Sequence, residues 1–452
     1  MTAVTESPAR NASPYATTPP AAAPAARNAA LRTVYAGSFT AFVGLSITEI
    51  VFPLLVLGFT GKPMLAGLFG AIQFTAMVLA AVPAGNFADR HDRRRVLIAG
   101  ETLRAGLATV LAVSLAAGHV WLIEIYLAAA ILGACQPLSS VRTLALRAIA
   151  PAEKLTKALS VQQGVSAVAQ LVGPGIGTAL YAVNRSLPFA AIAAGLAVSA
   201  LCAVFVRFDG RPQAAGSEAG TAADAAASES ETAATGGKRA EGPFAGLSVI
   251  WRHPVMRAAM IFLMLFNLVA VPLDLVIILQ AEHEGVPTHY VGLIIACCAA
   301  GGVLGAPFIP KLHARLRPGQ LLSGFGVLVA AGCAAMALPL GGFWMAGWMG
   351  AIGFVIPAAQ VLIDVLILQQ VPDHQRGRVL SAVMTFMGLG MPLGAAFGGS
   401  LLQVLSPATV LLGTAGALAC VTCYALAQRS LRRSQWPAAH AAATEADAAA
   451  AE

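Results

Sequence analysis

Twelve long apolar runs, separated by short polar connections, constrain this chain more than any other feature. A helix needs about 20 predominantly apolar residues to cross a hydrocarbon core, and only helices and closed barrels satisfy their backbone hydrogen bonds inside lipid. The sequence therefore predicts an all-α membrane protein with twelve transmembrane helices. The runs lie near residues 31–58, 64–88, 96–117, 121–148, 157–182, 187–208, 256–281, 289–312, 319–338, 341–369, 377–404 and 407–429.

Composition excludes several functional classes. Only 11% of residues are charged and the mean hydropathy is +0.75, whereas soluble proteins carry about 25% charged residues. The net charge of +7 arises in isolated loops without an aromatic-rich basic surface, which argues against nucleic acid as a partner. The seven cysteines all lie in apolar runs without Cys/His metal spacing. With no P-loop and no Ser-His-Asp array, we expect no cofactor, no metal site and no enzyme activity.

The twelve runs divide into two sets of six, and a linker separates the sets. This is the layout of a duplicated membrane domain. Residues 216–242 are a low-complexity stretch rich in Gly, Ala, Ser, Thr and Glu, a composition that cannot bury a core. The predicted organisation is a disordered tail (1–30), an N-terminal six-helix bundle (31–208), a linker (209–255), a C-terminal six-helix bundle (256–430) and a second disordered tail (431–452).

The placement of basic residues predicts the orientation. Of the 28 lysines and arginines, only Lys62 and Arg185 fall in the odd-numbered connections, and Arg104 lies inside a run. Because positively charged loops stay on the cytoplasmic side, we expect both tails and the linker to be cytoplasmic.

The connection between the second and third runs is the most highly charged part of the chain. Residues 85–95 hold four arginines and two aspartates, in the pattern G-x-x-x-D-R-x-x-R-R. A basic loop that served only as a topology signal would need neither Gly85 nor Asp89. The stretch resembles the cytoplasmic signature loop of the major facilitator superfamily. Asp92 replaces the usual glycine, as in the bacterial exporter branch that includes enterobactin and macrolide efflux proteins.

Two further segments resemble that family. Residues 369–378 are similar to the branch's connection between the tenth and eleventh helices, and residues 173–177 (Gly-Pro-Gly-Ile-Gly) are similar to the Gly-Pro motif of drug–proton antiporters. The resemblance implies two six-helix bundles that work by alternating access, in a monomer of the bacterial inner (cytoplasmic) membrane. It also implies that Gly173 and Pro174 form a bend that seals or gates the cavity, although ordinary tight packing is the alternative.

The resemblance assigns the charged loop to a cytoplasmic gate. Asp89 would lie against the positive N-terminal end of the eleventh helix, a contact worth ~0.3–1 kcal/mol and up to ~2 kcal/mol when partly buried. The arginines would pair with acids and exposed carbonyls and favour the outward-facing state. The predicted gate residues are Gly85, Asp89, Arg90, Arg93, Arg94, Arg376 and Arg378.

Ionisable residues inside the runs are candidate functional groups, because a charge in mid-membrane is costly. Glu49 and Asp274 occupy equivalent runs of the two halves, and a carboxyl group in a low-dielectric medium favours its protonated form. We interpret them as candidates for proton coupling or for binding a cationic substrate group. Interfacial placement or a helix–helix hydrogen bond is the alternative. Asp364 in the tenth run either faces the cavity or pairs with an arginine of the gate.

Two arginines lie near a third intramembrane acid. Glu101 and Arg104 are three residues apart and share a helix face, so the sequence predicts an ion pair that braces the third helix. Arg142 in the fourth run is either a cavity cation or, as we favour, a side chain that snorkels to the interface.

These features predict a secondary transporter. We expect proton-coupled export of a small amphipathic organic molecule such as a drug or siderophore, with that molecule, protons and membrane lipids as partners. Proton-coupled uptake and flipping of a lipid-like substrate are alternatives. A third possibility, a membrane sensor or scaffold without transport, gives no reason to keep Glu49 and Asp274 in the membrane.

Overall fold

The computed structural model describes residues 24–150, 154–206, 254–370 and 373–428, at some positions as backbone alone. The regular structure in these ranges is helical, and two short 3-10 segments, Gln136–Ser139 and Ala306–Phe308, join α4 to α5 and α10 to α11. The α-helices, in chain order, are α1 (Pro24–Thr60), α2 (Pro63–Arg90), α3 (Arg93–Ala116), α4 (Leu122–Cys135), α5 (Ser140–Ile149), α6 (Leu155–Val183), α7 (Leu187–Phe205), α8 (Pro254–Ala270), α9 (Leu273–His283), α10 (Thr288–Gly305), α11 (Ile309–Arg315), α12 (Pro318–Met336), α13 (Gly342–Gln370), α14 (Asp373–Val404) and α15 (Pro407–Ala427).

The helices account for the apolar runs. Eleven segments in the described part of the chain are long and apolar enough to cross a membrane, and each coincides with a predicted run. The remaining run, 377–404, falls within α14. The expected all-α membrane fold is confirmed.

The structure differs from the sequence prediction at the start of α1 and within the seventh run. Helix α1 begins at Pro24, so the boundary predicted for the disordered tail, residue 30, lies inside this helix. The alanines of 25–30 are strong helix formers, which explains the earlier start. The seventh run is split into α8 and α9 at Pro272, whose ring and missing N–H oppose a continuous helix. The rest of the predicted tails and almost all of the linker lie outside the described residues.

The two halves are in close contact at one end of the bundle. This end, called the sealed end below, holds the connections at residues 61–62, 184–186 and 284–287; the opposite end, with its arginine-rich connections, is called the basic end. The largest contacts between the halves are those of α2 with α14 and of α6 with α10. A Cβ on Gly67 would lie 2.5 Å from the Ala395 carbonyl oxygen and 2.7 Å from the Cα of Gly399. Only glycine allows backbones to approach so closely.

The contact of α6 with α10 is equally tight. A Cβ on Gly292 would overlap both the Pro174 carbonyl oxygen and the Thr178 hydroxyl. Thr178 Oγ1 also donates to the His289 carbonyl oxygen at 3.3 Å, which links the halves directly. The sealed end is therefore closed by packed backbones.

The apolar core follows the same division. Near the sealed end one buried cluster extends through both halves, and it includes Phe52 stacked on Phe69 with ring centroids 4.6 Å apart. Toward the basic end the described core residues form separate clusters. One, in the N-terminal half, includes Leu97 and Val141, and the other, in the C-terminal half, includes Phe262 and Leu322. Among the described buried residues, the core is thus shared by both halves near the sealed end and divided between them toward the basic end.

Candidate functional site: a cavity between the two halves

A cavity of about 620 Å³ lies between the halves. Its walls come from α1 and α6 on one side and from α9, α10 and α13 on the other. It runs from Glu49 and Asp274 toward the basic end, where Gln163 and Ala306 line it. Cavities of about 300–1,000 Å³ hold drug-sized ligands, so this space is large enough for a small organic molecule.

Glu49 and Asp274 both open onto this cavity. Glu49 is exposed while its neighbours Thr48 and Ile50 are buried, and Asp274 is exposed in the first turn of α9, directly after the break at Pro272. No lysine or arginine is among the described residues that line the cavity. Two carboxyl groups facing one space without a counter-ion on the described walls attract protons or an organic cation.

An apolar recess of about 300 Å³ continues the cavity into the C-terminal half. Asp274 and Cys298 line both spaces, so the recess begins beside the carboxyl group. Phe266 and Phe325, with ring centroids 4.9 Å apart, form part of its wall. The combined space thus places the carboxyl group of Asp274 next to an apolar compartment.

Sequence reasoning missed a polar stripe on α6. Gln163, Ser166 and Gln170 line the cavity, and Gln170 Nε2 donates to Ser166 Oγ at 3.1 Å. Their spacing of i, i+3 and i+7 places them on one face of a helix. Polar residues at helical spacing inside an otherwise apolar run were the signal that would have identified this wall.

The third intramembrane acid lies in a different environment. Glu101 and Arg104 approach to 3.7 Å, and Arg142 forms a second ion pair with the same Glu101 oxygen. Arg142 also donates to Ser199 Oγ at 3.1 Å. Glu101, Arg104 and Arg142 are 3%, 7% and 5% exposed.

The expectation that Arg142 snorkels was wrong, and so was its alternative, a cation in the central cavity. Arg142 is buried in the N-terminal half because Glu101 on the neighbouring α3 provides its counter-ion. A side chain with a buried carboxylate in reach has no need to extend to the interface.

The described residues of the charged loop form hydrogen bonds within the N-terminal half. Asp92 is the N-cap of α3 and accepts a hydrogen bond from the Arg94 backbone N–H at 2.9 Å, which gives a local reason for aspartate where the signature has glycine. The Arg94 side chain donates to the Ala203 carbonyl oxygen at 3.2 Å and also to that of Val204. These carbonyls end α7, where the helix dipole favours a cation.

The gate between the halves stays a prediction. Arg93 lies in the first turn of α3 and is partly exposed. Gly85 is placed on α2. The remaining predicted groups have side chains outside the described residues: Asp89, Arg90, Asp364, Arg376 and Arg378.

Gly173 and Pro174 lie where three helices cross. A Cβ on Gly173 would come within 2.6 Å of the Ser46 Cβ on α1, while Pro174 packs against Gly292 of α10 and lines the cavity. Helix α6 nevertheless runs unbroken from Leu155 to Val183. The close packing is evident, and the gating bend stays a prediction.

Known proteins resemble this chain in sequence and fold. A family model described as Major Facilitator Superfamily matches residues 34–395. The "Multidrug efflux pump Tap" of Mycolicibacterium fortuitum is 24% identical over 374 residues, which cover 80% of this chain and 87% of that protein. The "Macrolide efflux protein A" of Streptococcus pyogenes is also 24% identical, but only over 33% of this chain and 38% of that relative.

Two solved transporters share the fold. A mutant of the nucleoside transporter NupG superimposes with a TM-score of 0.71 at 13% identity, covering 88% of this chain and all of that one. A bacterial homologue of the human lysosomal transporter Spinster, in an inward-facing and unoccupied conformation, superimposes with a TM-score of 0.66 at 15% identity. That alignment covers 92% of this chain and 99% of the homologue.

Proposed function

This chain belongs to the Major Facilitator Superfamily and is a membrane transporter, not an enzyme; from that premise we propose that it exports a small amphipathic organic molecule in exchange for protons. The two bundles would rock around the central cavity and expose it to each side of the membrane in turn. Glu49 and Asp274 would carry the coupling protons or bind a cationic group of the substrate.

The placement of these two carboxyl groups is the observation that carries the proposal. They come from α1 in one half and α9 in the other, and both open onto one cavity. A group that must be protonated on one side and deprotonated on the other needs access to water and a place in the moving interface. Proton and cation would compete for the same charge, which is the simplest physical basis for exchange.

The close contact at the sealed end supports the rocking motion. The sealed end is held by backbone contacts at Gly67 and Gly292, which can separate without breaking ion pairs. With the basic end on the cytoplasmic side, this geometry corresponds to a cavity that faces the cytoplasm. An exporter would load its substrate in this state.

The direction of transport rests on the sequence relatives. Both Tap and Macrolide efflux protein A are named as efflux proteins, and Tap is matched over most of its length. The apolar recess beside Asp274 suits a substrate that combines a charged group with a hydrophobic body.

Transport into everted membrane vesicles tests the proposal. A proton gradient is imposed, and accumulation of candidate lipophilic organic cations is followed with and without a protonophore. We expect accumulation that the protonophore abolishes. Glu49→Gln and Asp274→Asn are each expected to reduce this accumulation to the level of vesicles without the protein. Glu282→Gln is the matched control, because Glu282 is exposed at the far end of α9 and does not line the cavity.

Two results would contradict the proposal. Accumulation driven in the opposite direction would indicate uptake. Proton-driven transport that survives both cavity substitutions would remove Glu49 and Asp274 from the mechanism.

A further inference from the structure

The buried ion cluster of the N-terminal half carries more positive than negative charge. Arg104 and Arg142 both pair with Glu101, and each of the three residues is less than a tenth exposed. Two guanidinium groups against one carboxylate leave one positive charge uncompensated among the described side chains. An uncompensated buried charge is strongly unfavourable unless a further counter-ion is present.

A small pocket lies directly beside this cluster. It has a volume of about 30 Å³ and is bounded by α1, α3, α5 and α7, with Arg142, Ser38 and Ser199 among its walls. It shares no lining residue with the central cavity. Its size suits one or two water-sized particles and excludes an organic anion.

The polar groups of this pocket are hydrogen-bond donors. Ser38 Oγ is buried, its residue being 1% exposed, and it makes no hydrogen bond with the described protein atoms. Ser199 Oγ accepts from Arg142, so its own proton remains to be donated. A buried hydroxyl without a partner is unusual in a folded protein.

We propose that this pocket binds a single monatomic anion, chloride under cellular conditions. The Arg142 guanidinium would supply the charge, and the Ser38 and Ser199 hydroxyls would donate hydrogen bonds. The remaining walls, which include Leu97 and Ala203, are apolar and suit a weakly hydrated ion. The anion would compensate the excess charge and tie α1, α3, α5 and α7 into one unit.

The unfolding temperature of the purified full-length protein in nanodiscs tests this site. Sodium gluconate is replaced stepwise by chloride, bromide or sulfate at constant ionic strength. We expect a saturable rise of a few degrees with chloride and bromide, and none with sulfate, which is too large. A temperature that is independent of chloride overturns the proposal and leaves water as the occupant.

Substitutions separate a bound anion from a general salt effect. Ser38→Ala removes a donor, and Arg104→Gln removes the excess charge without altering a pocket wall. Each substitution is expected to raise the chloride concentration at the midpoint of the response at least tenfold. Ser46→Ala, on the same α1 but lining the central cavity, is expected to respond like the wild type. An undiminished response in both test variants contradicts the site.

A direct readout does not depend on the folding of any variant. Crystals of the wild-type protein soaked in bromide are expected to show an anomalous peak between Arg142 and Ser38. A data set with bromide elsewhere and no peak in this pocket overturns the proposal.

Discussion

The two groups of intramembrane acids differ in what surrounds them. Glu49 and Asp274 open onto a shared cavity and have no basic residue among its described lining, whereas Glu101 is buried between two arginines. The first arrangement leaves a carboxyl group free to exchange protons or to bind a cation. The second fixes the charge and joins neighbouring helices. The two groups of acids are therefore distinguished by the space that each carboxyl group faces, and not by residue type.

The largest expected effect comes from removing the acid of the packed cluster. Glu101→Ala leaves Arg104 and Arg142 buried without their carboxylate, and loss of one partner of a buried pair costs about 3–5 kcal/mol. We expect a large fall in unfolding temperature and in the yield of folded protein, measured by thermal unfolding and size-exclusion chromatography. Glu49→Gln is expected to fold like the wild type. Equal stability of the two variants would contradict the distinction between the acids that face the cavity and Glu101 in the packed cluster.

The next effect concerns the seal that closes one end of the cavity. Gly292→Ala places a methyl group against the Pro174 carbonyl, and overpacking of this kind costs about 1–3 kcal/mol. We expect α6 and α10 to separate, so that Cys298 in the cavity wall reacts faster with a membrane-impermeant thiol reagent applied from the sealed side. Gly416→Ala, with no atom within 4 Å of its Cβ, is the control. Unchanged labelling in Gly292→Ala would mean that this contact does not hold the end closed.

The smallest effect is expected at the charged loop. Arg94→Ala removes the bonds to the last carbonyls of α7, and we expect a loss of about 1 kcal/mol because this site is partly open to solvent. Arg95→Ala is expected to leave the unfolding temperature unchanged, since its side chain is 88% exposed and its pair with Asp92 spans 3.9 Å. A larger loss for Arg95 than for Arg94 would contradict the local role assigned here to Arg94.

The sequence predicted the parts of this structure that depend on local pattern. Apolar length indicated the spans, and the three-residue spacing of Glu101 and Arg104 predicted their shared face. The partnership of Arg142 with Glu101 depends on how α5 packs against α3, which no local spacing encodes. The sequence prediction carried the seventh run through Pro272, although the ring and missing N–H of that proline explain the break. The recess beside Asp274 depends on the packing of α8, α12 and α13.

Chemical labelling of carboxyl groups tests the central distinction most directly. The protein in membranes is treated with a hydrophobic carbodiimide, which reacts with protonated carboxyl groups that it can reach, and the modified residues are identified by mass spectrometry. We expect modification at Glu49 and Asp274, slowed by a transported substrate, and none at Glu101. Modification of Glu101 with Glu49 and Asp274 left intact would contradict the assignment of these two acids to the transport pathway.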